Sequence, residues 1–168
     1  MGARGRNMSR KLVVLVIAGL LLAGQAQAQT RGNQLSGINE ISLLIEDLDD
    51  TAKDCRITQD LVRDAFMYPV SSARFVVKEQ ADPRMYLNIT TLTANQRQLC
   101  ISNLRMEFGL YEYVTPRASG RRIFALIELW GKGYMRSSTL SDHGRTVREA
   151  IERGTKQFIT DWNLDNKQ

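Results

Sequence analysis

Apolar residues recur at every second position in Ile41-Ser-Leu-Leu-Ile-Glu-Asp47, where Ile41, Leu43 and Ile45 share one side. That period is the signature of a strand with one buried face. The acidic stretch 47–54 that follows reads as a turn. Thr58 then offers a side-chain oxygen to open a helix. Leu61, Val62, Ala65 and Phe66 share a face at helical spacing and carry that helix to about Tyr68. Pro69 ends or kinks it, because its ring lacks a backbone donor and crowds the preceding turn.

Strand patterning returns at 74–78. A turn at 80–84, built on Asp82-Pro83, leads to a β-branched strand at 85–92. After a hairpin turn at 94–97, residues 99–114 predict one long strand with Cys100, Leu104, Met106, Phe108 and Leu110 on a single face. Residues 116–120 turn the chain. In 121–134, Ile123, Ala125, Ile127 and Leu129 alternate with Phe124, Leu126, Glu128 and Trp130. Gly131 and Gly133 predict a bulge or bend at that strand's end. A last helix is capped by Ser141, with Val147, Ile151, Phe158, Ile159 and Trp162 three, four or seven apart. Gly154 inside it costs about 1 kcal/mol against alanine, which points to close packing there. The order β-α-β-β-β-β-α predicts an α+β fold: a mostly antiparallel five-stranded sheet with two helices on one face.

The N-terminus is a different kind of segment. Arg4, Arg6, Arg10 and Lys11 precede an uncharged run from Leu12 to Gly24, which exits through Gln25-Ala26-Gln27-Ala28. A basic stretch, a short apolar stretch and an A-x-A exit make a cleavable secretory signal over 1–28. The run falls well short of the ~20 residues that span a bilayer, so no permanent membrane anchor is expected. Residues 29–40 read as a flexible polar leader, 41–164 as the single α+β domain and 165–168 as a tail. The location is periplasmic or secreted.

Cleavage changes the charge. The chain has 23 Lys+Arg against 18 Asp+Glu. Losing the four signal bases leaves 19 against 18, a net charge of +1 in place of +5. A near-neutral domain has no general attraction for phosphate backbones, so no nucleic-acid partner is expected. Cys55 and Cys100 both remain. Export exposes them to an oxidising compartment, and they are expected to form a disulfide.

Candidate chemistry is sparse, and no cofactor is implied. His143, the single histidine, is expected on the surface at a helix start. Glu46, Asp47, Asp49, Asp50 and Asp54 form one dense carboxylate group without the glycine and closing glutamate of a calcium loop. A cleft near Glu46, Asp47 and His143 is the alternative for a small periplasmic enzyme or ligand carrier. Arg117, Arg121 and Arg122 surround a hairpin tip and can meet phosphate groups of an envelope glycolipid. The sheet face turned from the helices is richer. Tyr86, Tyr111, Tyr113, Phe124, Trp130 and Tyr134 are expected there, with Leu44, Leu126, Arg105 and Glu107. Aromatic side chains are enriched where proteins meet partners, so this face is the expected binding surface. The expected role is a non-enzymatic binding or adaptor module, acting by self-association or on an envelope protein.

The segments Ile-Glu-Asp-Leu-Asp-Asp, Tyr86-Leu-Asn-Ile-Thr, Ala125-Leu-Ile-Glu-Leu-Trp130 and Phe158-Ile-Thr-Asp-Trp-Asn163 loosely resemble small uncharacterised bacterial periplasmic α+β proteins. Their layout is similar to the N-terminal domain of the Tol system's propeller protein and to envelope proteins that bind peptidoglycan synthases. The resemblance lies in the order of elements from Ile41 to Asn163 and implies a binding role. It carries no catalytic residue.

Overall fold

The computed structural model describes residues 33–94 and 98–167. The expected signal at 1–28, the start of the leader and most of the hairpin turn at 94–97 lie outside the described residues. The elements are β1 (Glu40–Ile45), α1 (Asp50–Asp54), α2 (Gln59–Val70), β2 (Val76–Lys78), β3 (Arg84–Ala94), β4 (Leu99–Val114), β5 (Ile123–Thr139) and α3 (His143–Asp165). The five strands form one sheet in the order β2-β1-β3-β4-β5.

The α+β architecture is as expected, with two additions. The sheet is mixed, since β1 runs parallel to both β2 and β3, while β3, β4 and β5 are antiparallel. Parallel neighbours need a crossover, and α1 and α2 supply the one between β1 and β2. The second addition is α1, which lies where a plain acidic turn was expected. Asp49 Oδ1 accepts from Ala52 N at 2.6 Å and opens the helix. Its exit has the Schellman pattern: Arg56 N donates to Lys53 O and Ile57 N to Ala52 O. Arg56 closes that pattern in the left-handed conformation, φ 62°.

Thr58 caps α2 as expected, its Oγ1 accepting from Leu61 N. Pro69 is accommodated in the last turn of α2, and the helix leaves at Ser71, whose Oγ donates to Tyr68 O. β4 has the expected limits. β5 passes through Gly131 and Gly133 to Thr139, so the glycines do not end it. The irregularity lies earlier: Phe108 pairs with Trp130 but Gly109 pairs with Glu128, leaving Leu129 as an extra residue. α3 is capped at Asp142, not Ser141, and the Asp142 carboxylate turns to Thr139 and Arg145 instead of to the helix amides.

The core lies between one sheet face and the helices. Phe158 of α3 is its centre, with ring centroids 5.7 Å from Phe75, 4.9 Å from Phe108 and 5.3 Å from Trp130. Gly154 lets α3 come close: a Cβ there would stand 2.4 Å from Met106 Sδ. The described part of the leader is docked rather than loose. Leu35 is buried, its N donating to Asp165 Oδ2 and its carbonyl accepting from Asn166 Nδ2. Asn166, read as tail, is therefore part of the domain.

Cys55 and Cys100 form the expected disulfide, with Cα atoms 6.1 Å apart and both residues fully buried. It pins the exit of α1 to the start of β4. The bridge closes a loop between cysteines 45 positions apart. In the chain-entropy account such a loop contributes at most about 4 kcal/mol. Cys55→Ala with Cys100→Ala should lower the melting temperature by many degrees. A loss of a degree or two would show that packing alone holds this corner.

The helix exit yields a second expectation. A left-handed arginine carries a steric cost of about 1–2 kcal/mol that glycine avoids. Part of the gain is lost to glycine's greater freedom in the unfolded chain. Arg56→Gly should raise the melting temperature by roughly 2–4 °C. A fall would mean the exposed Arg56 side chain contributes more than its backbone costs.

Candidate binding face

Strand alternation puts Leu44, Arg84, Tyr86, Glu107, Tyr111 and Tyr113 on the sheet face away from the helices, and β5 adds Phe124 and Leu126. Register brings them side by side: Leu44 opposite Tyr86, Tyr111 opposite Leu126, Tyr113 opposite Phe124. The Tyr111 and Phe124 rings stack at 5.5 Å, and Tyr113 lies 5.0 Å from Phe124. Leu44 is 44% exposed, Tyr113 58%, Phe124 60% and Leu126 51%. A solvated sheet face is normally polar.

Four of the six aromatics expected on this face are there. Trp130 and Tyr134 are not. Trp130 is buried, its Nε1 donating to Asp161 Oδ2 at 2.8 Å. Tyr134 is half-buried beneath α3, its ring 3.1 Å from where a Gly154 Cβ would stand. The extra residue at Leu129 is the cause. One inserted residue reverses which side chains face the core, since strand side chains alternate with a period of two. Beyond it the open face receives Gly131, Gly133 and Met135 instead. The stretch from Ala125 to Trp130, apolar at both alternating sets of positions apart from Glu128, was the sequence signal for it.

Gly109 and Arg84 are the contributors sequence reasoning passed over. Gly109 leaves a dent of about 230 Å³ on the face, walled by Leu44, Tyr86, Tyr111 and Leu126 and edged by Arg84, Glu107 and Glu128. A Cβ on Gly109 would fall 2.4 Å from Ile127 O, so the two backbones approach closely at the bulge. The only signal was a glycine in the middle of a long apolar strand.

The dent's polar edge is organised. The Arg84 guanidinium lies 4.8 Å over the Tyr111 ring, and Arg105 pairs with Glu107. Glu46 accepts from Tyr86 Oη and Asn88 Nδ2. The Tyr86 hydrogen bond, then that of Asn88, holds the exposed Glu46 carboxyl below its usual range. The same bond pushes the Tyr86 phenol up. The face thus offers aromatic and aliphatic surface with fixed charges of both signs.

The alternative cleft does not assemble. Glu46 turns onto the open face. Asp47 lines a separate hollow with Leu48, Lys53, Thr58 and Gln59. His143, expected on the surface, is fully buried. Its Nε2 lies 2.7 Å from Ser102 Oγ and its Nδ1 2.8 Å from Ser138 Oγ, and Ser102 Oγ is 2.8 Å from Thr91 Oγ1. A Ser-His contact of this length suits nucleophile activation, but Ser102 is itself fully buried. The chain of hydroxyls instead ties β3, β4, β5 and α3 together. Among the described residues no group of three or more His, Cys, Asp or Glu is placed to hold a metal ion, and no helix is long and apolar enough to cross a membrane.

Burial lowers the His143 pKa, since the charged imidazolium is poorly solvated there. The unfolded chain then takes up a proton near pH 6.5 while the folded chain resists. This contribution to stability is complete above about pH 6.5 and is lost as pH falls through the lower folded value. Its slope is at most about 1.4 kcal/mol per pH unit. The urea midpoint should fall between pH 7.5 and pH 5.5, and by less in His143→Gln. Parallel losses in both proteins would show that the imidazole is not the source.

No family model and no curated protein matches the chain. Among solved structures, the crystal structure of a minor lipoprotein from Acinetobacter baumannii is similar in backbone. It superposes with a TM-score of 0.45 and 10% sequence identity, covering 77% of this chain and 94% of that one.

Proposed function

We propose that this chain is an exported binding or adaptor module of the cell envelope, working in the periplasm through its open sheet face. The carrying observation is the cluster of Leu44, Tyr111, Tyr113, Phe124 and Leu126, five large apolar side chains exposed together around the dent over Gly109. Contiguous apolar patches of this kind mark interaction sites on otherwise soluble domains. The buried Cys55–Cys100 disulfide and the secretory pattern of the first residues both support an oxidising compartment. The buried Ser102–His143 pair supports a non-enzymatic role.

A photo-cross-linking side chain placed at Leu44 or Tyr111, both lining the dent, should yield discrete cross-linked species in intact envelopes. The same group at Arg148 or Lys156, on the wet side of α3, should not. Equal patterns from both sides, or none from the open face, would remove the basis for this reading. A product at twice the chain mass would identify self-association as the mode.

A further inference from the structure

The β4–β5 hairpin runs on beyond the rest of the sheet. β3 pairs with β4 only as far as Gly109, opposite Arg84. Residues 110–114 and 123–127 therefore pair in the ladder only with each other, from Leu110 with Ile127 out to Val114 with Ile123. This two-stranded arm exposes three large apolar side chains on one side and a single one, beside the exposed Glu112, on the other. Tyr113, Phe124 and Leu126 are on the open side, and Ile123, 45% exposed, is on the other.

Charge on the arm is one-sided in sign. Its turn carries Arg117, Arg121 and Arg122, all exposed, and the only acid between 110 and 127 is Glu112. Among the described residues none of the three arginines forms an ion pair. Arg122 lies 4.4 Å over the Tyr113 ring, and Arg84 holds the same position over Tyr111 at the arm's base. Cations are thus kept level with aromatic rings that carry a polar hydroxyl. That pairing suits a bilayer's headgroup region, where tyrosine is enriched and arginine meets phosphate.

We propose that this arm seats in a bilayer surface bearing anionic phospholipid. Phe124, Leu126, Tyr113 and Ile123 enter the boundary between headgroups and acyl chains, and the three guanidiniums bind lipid phosphates. A medium that closes around the thin ribbon covers Ile123 as well as the three apolar side chains opposite it, whereas a folded protein partner would cover one side. The inference rests on the exposed face of the proposed binding role and gives its outer end an occupant.

The test is flotation of the exported protein with vesicles of phosphatidylcholine alone, or with about a third phosphatidylglycerol. Binding to the mixed vesicles should exceed that to phosphatidylcholine by at least ~10-fold and fall as salt rises. Arg117→Gln, Arg121→Gln and Arg122→Gln together should weaken it by about 100-fold, at roughly fivefold per arginine. Phe124→Ser with Leu126→Ser should abolish the part that survives high salt. Inorganic phosphate should not compete. No binding to mixed vesicles, equal binding to both kinds, or indifference to the arginine variant would overturn the proposal. The arginine variant decides alone if the serine variant loses its fold, since its three side chains are exposed on a turn. Open-face cross-links to protein without vesicle binding would overturn the lipid occupant and leave the binding role standing.

Discussion

The docking of α3 across β4 and β5 is the contact on which the rest depends. Phe158 fills the space between Phe75, Phe108 and Trp130, and Gly154 lets the helix rest on Met106. Replacing an aromatic at such a centre by alanine costs about 3–5 kcal/mol in comparable cores. The far end of the same helix receives Leu35 and the backbone of residues 35–38, through Asp165, Asn166 and Trp162. One helix thus gathers the first and last described parts of the chain. Because all this packing lies on one side, the other face of a broad sheet is left to solvent, with its aromatic content still in place.

A single extra residue in β5 decides what that open face contains. Without Leu129 as an insertion, Trp130 would stay on the open side with Phe124 and Leu126. With it, Trp130 turns inward and donates to Asp161 of α3. The open face beyond that point is bared by Gly131 and Gly133, while Gly109 opens the dent opposite. Aromatic surface is thereby concentrated toward the projecting end of the hairpin, next to its arginines. The bulge fastens the helix and shapes the face at once.

The other end of the sheet is held by different means. Cys55 anchors α1 to the start of β4 at Cys100, and two positions further along β4 Ser102 begins the hydroxyl chain to His143 and Ser138. A neutral imidazole with a hydroxyl at each ring nitrogen satisfies every polar group in that pocket, and burial is tolerable on those terms. The same arrangement leaves the imidazole inaccessible. The one residue type that most often suggests catalysis is here spent on joining three strands to a helix.

Sequence period and chemistry already determined much of this. Alternation defined β4 to the residue, Thr58 announced α2, the spacing of Val147, Ile151, Phe158 and Trp162 defined the buried stripe of α3, and Gly154 signalled close packing. Each is local: a strand's two faces, a cap and a helical stripe depend on residues within a few positions. Cys55 and Cys100 were legible as a pair because the chain has only these two cysteines. Tertiary structure decided the rest. The parallel placement of β1 depends on where the crossover returns the chain, and α1 on the cap of Asp49 and the Schellman exit at Arg56. The inward turn of Trp130 depends on which residue of β5 fails to pair with β4. The burial of His143 depends on Ser102 and Ser138, 41 and 5 positions away, converging on it. A side chain's face follows from its own strand, but its partners follow from register between strands, and register is a property of the assembled sheet.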